Sequence, residues 1–320
     1  MTPALPARLA ALVLLLPSLA IAARHAPSAD LVNDPAKSHA DRAAALLREQ
    51  VLLDRAHFSP GEIDGAGGGN TRAALAGFQA AHGLDASGKF DDRTWEALEQ
   101  DPQPVLLSYT LTADDVAGPF APIPDDVEQQ ATLAHLGYAT VQEALGEKFH
   151  ASPALLQRLN PGARFLAGEV LVVPNVLGET ALPAAARVVV DQSDAVVRLL
   201  DAQGAVQAQF PASMGSAHDP LPLGEWTIRG VTREPVFRYD PLLFWDADPL
   251  KAKATVQPGP NNPVGSVWID LSKEHYGLHG TPEPATVGKA QSHGCIRLTN
   301  WDALTVAAAV KAGTPVTLQE

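Results

Sequence analysis

Residues 279–300 read H-G-T-P-E-P-A-T-V-G-K-A-Q-S-H-G-C-I-R-L-T-N. The run holds Cys295, the only cysteine of the 320-residue chain, together with His279 and His293 and glycines at 280, 288 and 294. A thiolate, not a thiol, is the nucleophile, and a nearby histidine is the usual base that makes one. Glycine lets a short segment bend so that imidazole and thiol meet. The same three side chains could in principle serve a zinc ion. His293 and Cys295 lie only two apart, however, an awkward spacing for one tetrahedral ion, and no second cysteine exists. No metal and no cofactor are expected.

The order His279, spacer, Ser292-His293-Gly294-Cys295, flanked by G-L-H-G-T-P-E-P and I-R-L-T-N-W-D, resembles the signature of the L,D-transpeptidase catalytic domain of the YkuD type. The resemblance covers residues 187–320 and implies a β-sandwich catalytic domain. It implies Cys295 as nucleophile, His279 as proton donor and acceptor, and the backbone carbonyl of Gly280 as the group that orients that base. The donor would be a peptidoglycan tetrapeptide stem, acylated onto Cys295 with loss of its terminal D-alanine. The acceptor amine would belong to another stem, to a lysine of an envelope protein or to a free D-amino acid. Backbone N–H groups of His293, Gly294 and Cys295 can turn inward as an oxyanion hole, a bend that glycine at 294 permits.

The residues alone do not decide which histidine is the base; the family pattern assigns the upstream one, leaving His293 a structural or substrate-polarising role. Some members carry Asn two residues after the cysteine. Here that position is Arg297, so no role of that Asn is carried over. The fixed charge of Arg297 can hold a substrate carboxylate or pair with an acidic side chain. Ser292 stands beside it as a substrate-binding candidate or a local hydrogen-bonding group. An L,D-carboxypeptidase on the same fold is one rival reading. A wall-binding protein with a decayed catalytic domain is the other, and the intact His279, Gly294 and Cys295 speak against it. A papain-like hydrolase has its cysteine before its histidine, the reverse of the order here.

The remaining sequence fits an exported, multidomain α+β protein. Arg8, the apolar run 9–16 and Ala20-Ile21-Ala22 read as a signal peptide over residues 1–22. No cysteine follows to make a lipoprotein, and no later stretch is apolar enough to span a bilayer. The protein is therefore expected in the periplasm or cell envelope, where a lone cysteine has no intrachain disulfide partner. A net charge of −13 argues against nucleic acid or an anionic membrane surface as partner.

Residues 39–100 resemble the three-helix peptidoglycan-binding domain through F-S-P-G-E-I-D-G, N-T-R-A-A-L-A-G-F-Q, H-G-L and T-W-E-A-L. Helical spacing predicts helices over 41–55 and 71–82, the second capped by Asn70, and a short third helix capped by Asp91 or Asp92. Residues 105–176 predict a strand, two short helices and a closing strand. The second half of that region is similar to a LysM module, but the usual G-D-T-L opening is missing, leaving it a glycan-binding unit or a spacer.

From 187 the period becomes two, with short strands near 188–190, 196–200, 205–210, 226–228, 267–271, 276–279 and 316–318. A helix over 301–312 is expected to be capped by Asn300 and stopped by Gly313. Residues 232–265 lack periodicity and carry Phe237, Tyr239, Phe244 and Trp245. They are either a cover over the site or a surface flap with its own small core.

Overall fold

The computed structural model describes residues 26–178 and 180–320. The expected signal peptide at 1–22 lies outside the described residues. The N-terminal region is helical: α1 (Ala29–Asn33), α2 (Pro35–Ala40), α3 (Arg42–Arg55), α4 (Gly69–Ala81) and α5 (Asp92–Leu98). Local capping explains most of these starts. The Asp41 carboxylate accepts from the N–H groups of Ala43 and Ala44, and Asp91 accepts from Thr94. The expected cap at Asn70 is not formed. Helix α4 begins two residues earlier behind Gly68, and the Asn70 amide donates instead to the carbonyl of Val287, 2.9 Å away.

In the middle region β1 (Leu106–Thr110) leads to α6 (Val127–Gln130), α7 (Val141–Lys148), α8 (Pro153–Leu159) and β2 (Val170–Pro174). The two strands pair antiparallel, Leu106 opposite Pro174. Asn160, just past α8, exchanges hydrogen bonds with both backbone groups of Val172 and so pins the helix to the strand. Leu47, Leu75 and Phe78 of the helical region join Leu106, Leu145, Phe149 and Val173 in one buried cluster. The first two regions therefore share a core.

The C-terminal region is built on β3 (Arg187–Asp191), β4 (Val196–Leu200), β5 (Val206–Pro211), β6 (Ser213–Met214), β7 (Gly224–Arg233), β8 (Phe237–Tyr239), β9 (Ala254–Val256), β10 (Val267–Leu271), β11 (Gly277–His279), β12 (Ile296–Arg297), α9 (Asn300–Ala309) and β13 (Pro315–Gln319). Nine strands form one mixed sheet in the order β5-β4-β3-β13-β7-β10-β11-β12-β6. Its two halves meet in β7: the first part of that strand pairs with β13, the rest with β10. The sandwich-like shape thus comes from one long strand shared by both halves. The core between them holds Val188, Val197, Phe210, Ile269, Leu278, Ile296 and Val306 of α9.

Helix α9 differs from expectation at both ends. Thr299, not Asn300, is its cap, accepting from the Asp302 N–H, and the helix stops at Ala309. Asn300 is its first residue and its side chain is used elsewhere, as described below.

The three regions meet around α9. The Ser59 hydroxyl donates to Asp302 at 3.0 Å, His150 stacks on Trp301, and His150 Nδ1 lies 2.8 Å from Asp54. Residues 57–59 run along β5, exchanging backbone hydrogen bonds with Gln209. They cover what would be a bare sheet edge.

Asp302 is 3% exposed. Burial pushes its carboxyl up to about 7, the neighbouring Asp54 adding to the effect while the Thr299 and Ser59 hydroxyls and His150 oppose it. The folded chain thus holds this proton more tightly than the unfolded chain, whose carboxyl titrates near 4. Stability present below about pH 4 is lost as pH rises toward 7. The thermal midpoint of Asp302→Asn should fall less between pH 4 and 7 than that of the wild type. An equal fall would show that the carboxyl does not titrate with folding.

Candidate active site

Strands β11 and β12 run parallel, with Leu278 opposite Ile296 and His279 opposite Arg297. Side chains alternate along a strand, so the register sorts them. Leu278 and Ile296 are fully buried in the core. His279 and Arg297 share the other face, and Gly277 and Cys295, two residues before each, lie on that face as well. Trp268 of β10 stands opposite His279 in the antiparallel register, and its ring stacks on the imidazole at 5.4 Å. A side chain at Gly277 would run into that indole, its Cβ only 2.6 Å from the ring. Glycine there leaves room beside the thiol.

His279 Nδ1 lies 2.6 Å from the Gly280 carbonyl oxygen. A carbonyl only accepts, so Nδ1 carries the proton and Nε2 is left with a free lone pair. The imidazole is 4% exposed. Burial lowers its pKa to about 4; the Gly280 carbonyl opposes the shift and Arg297 adds to it. Burial also pushes the Cys295 thiol up, partly offset by the Gly277 backbone and by Arg297. The Cys295 thiol is partly exposed and points at the His275 carbonyl, 3.6 Å away. At neutral pH the resting pair is therefore a thiol and a neutral imidazole.

The turn that carries the thiol is held from behind. The buried Ser292 donates its hydroxyl to the Cys295 carbonyl at 2.5 Å, and its N–H bonds to the Gly215 carbonyl. Gly294 has φ +94°, and a Cβ there would lie 2.8 Å from the Tyr276 ring. Glycine is needed for both reasons. Among the described residues, no acceptor bonds the N–H of His293 or Gly294.

His293 turns toward residues 232–265: its Nε2 lies 2.8 Å from Asp246 and its ring packs on Phe244 and Trp245. That segment combines both expected forms. Phe237, Tyr239 and Phe244 make a small aromatic cluster beside the β8–β9 pair, and the same segment reaches the catalytic turn. Its far end is tied to the middle region by the Lys251–Asp126 ion pair and by the Ala252 N–H donating to Glu128. The side chain of Arg297 makes no hydrogen bond or ion pair among the described residues.

Trp268, Tyr276 and Asp246 were not singled out from sequence. Only the alternation of Val267-Trp268-Ile269, which sets Trp268 on the face opposite its buried neighbours, could have pointed to the first.

Residues 185–318 match the family model described as the L,D-transpeptidase catalytic domain, and residues 47–98 match a peptidoglycan binding domain. A Bacillus licheniformis protein named as the L,D-transpeptidase YkuD is 31% identical over 179 residues, spanning 55% of this chain and 92% of that protein. The chain belongs to the L,D-transpeptidase family. The similarly named protein of Bacillus subtilis is 31% identical over 177 residues, covering 55% of this chain and 91% of its own length. L,D-transpeptidase 3 of Mycobacterium tuberculosis is similar at 20% identity over 49% of this chain and 76% of that one, with a TM-score of 0.36, too low to bear on the site. Neither matched family model extends over residues 99–184, so the LysM likeness expected there gains no support from them.

The neutral resting pair has a kinetic signature. Alkylation of Cys295 by iodoacetamide should climb steadily past the ordinary thiol pKa of about 8.5. A plateau between pH 6 and 8 would instead reveal a resting thiolate–imidazolium pair.

Proposed function

We propose that this L,D-transpeptidase uses Cys295 as its nucleophile and His279 as its base on a peptidoglycan tetrapeptide stem. The observation that carries the reading is the parallel register of β11 and β12. It sets thiol, imidazole and guanidinium on one face while the Gly280 carbonyl fixes the imidazole tautomer. As Sγ attacks the carbonyl carbon of the third stem residue, its proton passes to His279 Nε2. The carbonyl oxygen becomes an oxyanion facing the backbone N–H groups of His293, Gly294 and Cys295. The C–N bond then breaks, and the imidazolium gives its proton to the departing D-alanine nitrogen. A thioester remains on Cys295. An acceptor amine attacks it and loses its proton to His279, and the thiolate leaves and is reprotonated.

Arg297 has no partner within the described chain, which supports its reading as the holder of a substrate carboxylate. Ser292 is buried, with its hydroxyl bonded to Cys295, so it serves the turn and not the substrate. The acceptor is an amine on a second stem, an envelope-protein lysine or a free D-amino acid. The N-terminal helical module holds the enzyme on its polymer, and the middle region is a LysM-like unit or spacer. The chain acts in the cell envelope, after removal of an N-terminal signal.

The test is incubation of the mature protein, with Cys295→Ala as control, with a purified disaccharide-tetrapeptide, read by mass spectrometry. A dimer lacking one D-alanine, absent in the control, is expected. Free tripeptide alone would favour the carboxypeptidase, in which water replaces the amine. No product in either sample would overturn the tetrapeptide-donor reading. Arg297→Gln should raise KM on the order of tenfold with a smaller change in kcat, the scale of one charge-assisted hydrogen bond of about 1.5 kcal/mol. An unchanged KM would return Arg297 to a structural role.

A further inference from the structure

The base depends on a carbonyl, and the carbonyl sits on a side chain that belongs to no catalytic motif. A Cβ built on Gly280 would lie 2.1 Å from Asn300 Oδ1, so the asparagine packs directly against that backbone. The same Oδ1 would meet a Cβ on Gly265 at 2.1 Å, and that Cβ would lie 2.6 Å from the Gly280 carbonyl carbon. The turn at Gly265, the Gly280 peptide and Asn300 thus form one close-packed unit that only glycine permits at two of its three positions. Asn300 is 1% exposed and three of its polar contacts are made. Its Oδ1 accepts from the Ser266 N–H at 3.1 Å. Its amide donates to the Pro260 carbonyl at 3.1 Å and to Glu147 Oε1 at 2.9 Å.

Glu147 is the unexpected member. It lies at the end of α7, outside the catalytic region, 153 residues from its partner in sequence. Buried amides without acceptors are costly, so the carboxyl fixes which way Asn300 faces. A flipped asparagine would present its NH2 to the Ser266 N–H and lose the Oδ1 acceptor there.

We propose that Glu147 and Asn300 are positioning residues for the base: they hold the Gly265–Ser266 turn and the Gly280 peptide so that its carbonyl receives His279 Nδ1–H. The middle region is then a part of the active-site support as well as a connection. The inference rests on His279 being the base, as argued above. Burial pushes Glu147 up to about 8, with the Asn300 bond opposing and Glu143 and Glu62 adding to it. At neutral pH it is a neutral carboxylic acid whose carbonyl oxygen can accept from Asn300. A glutamine can do the same.

The experiment compares full-length Asn300→Ala, Glu147→Leu and Glu147→Gln with wild type and Cys295→Ala. Wild-type turnover of the disaccharide-tetrapeptide that is lost in Cys295→Ala certifies the underlying reading first. On that basis Asn300→Ala and Glu147→Leu should lower kcat on the order of ten- to a hundredfold with little change in KM. Glu147→Gln should retain most of it. The double variant Glu147→Leu/Asn300→Ala should be no slower than Asn300→Ala alone, because both act through one contact.

A second readout needs no substrate. The His279 Nδ1–H signal in a proton–nitrogen spectrum of the imidazoles should be sharp and downfield in wild type and Glu147→Gln. It should be lost or shifted in Asn300→Ala. If Glu147→Leu fails to fold, Glu147→Ala takes its place, and Asn300→Ser does the same for Asn300→Ala. Folded variants with unchanged kcat and an unchanged ring N–H signal would overturn the proposal. So would loss of thermal stability with full activity of the folded fraction.

Discussion

The site hangs on the parallel pairing of two very short strands, β11 and β12. Neighbouring parallel strands need a crossover, usually a helix. Here the crossover is residues 280–295, which hold only a single 3₁₀ turn at Pro284–Thr286. Its internal backbone hydrogen bonds all lie within residues 283–290, and surrounding groups hold the rest. Ser213 accepts from the Gly288 N–H, and Gly215 accepts from Ser292. Asn70, from the peptidoglycan-binding region, reaches in to Val287. The strand β6 that carries Ser213 pairs with the far side of β12. The crossover, and with it the spacing of thiol and imidazole, is fixed by groups from distant parts of the chain.

The electrostatics follow from the same burial. An imidazole that is 4% exposed, as His279 is, is poor at holding a positive charge. Arg297, near both groups, disfavours an imidazolium and favours a thiolate. The two demands pull apart, so the free enzyme keeps both groups neutral. On the proposed mechanism the proton moves as the sulfur attacks and negative charge passes to the substrate oxygen. A substrate carboxylate on Arg297 would weaken that guanidinium's effect on His279 and ease the transfer.

Much of this was legible in the sequence because the rules involved are local. The His279 to Cys295 signature, the alternating strands and the cap at Asp91 each depend on residues a few positions apart. Asn70 and Asn300 show where locality ends. Both have the side chain that a cap needs, and both stand next to a helix start. Yet Gly68 and Thr299 begin those helices, and the asparagine amides bond carbonyls and a carboxyl distant in sequence. A buried asparagine with four hydrogen-bonding sites is drawn to whatever partners the tertiary fold brings. Trp268 and Tyr276 were opaque for another reason. Neither stands out by residue type as a nucleophile or base, and only strand register and the bend at Gly294 bring them to the site. His293 was left a structural or substrate-polarising role; its ring meets Asp246, and the left-handed Gly294 sits between it and Cys295.

The regions also do not behave as beads on a string. Gly259 shows this at atomic scale: a Cβ there would lie 2.1 Å from the Leu136 carbonyl oxygen, so two backbones from different regions touch. Leu136 also exchanges hydrogen bonds with Pro258 and Asn261, at the base of the segment that covers His293. The tip side of that segment is tied to α6 through Lys251 and Ala252. The middle region therefore grips the cover at two points while Glu147 reaches Asn300, behind Gly280, from a third. A rotation of the middle region against the catalytic sheet would have to break all three sets of contacts, and the break at Glu147 would leave the buried Asn300 amide without one of its acceptors. The exposed Leu242, Leu243 and Leu250 lie before both anchors, in the part of the cover with the least packing to lose.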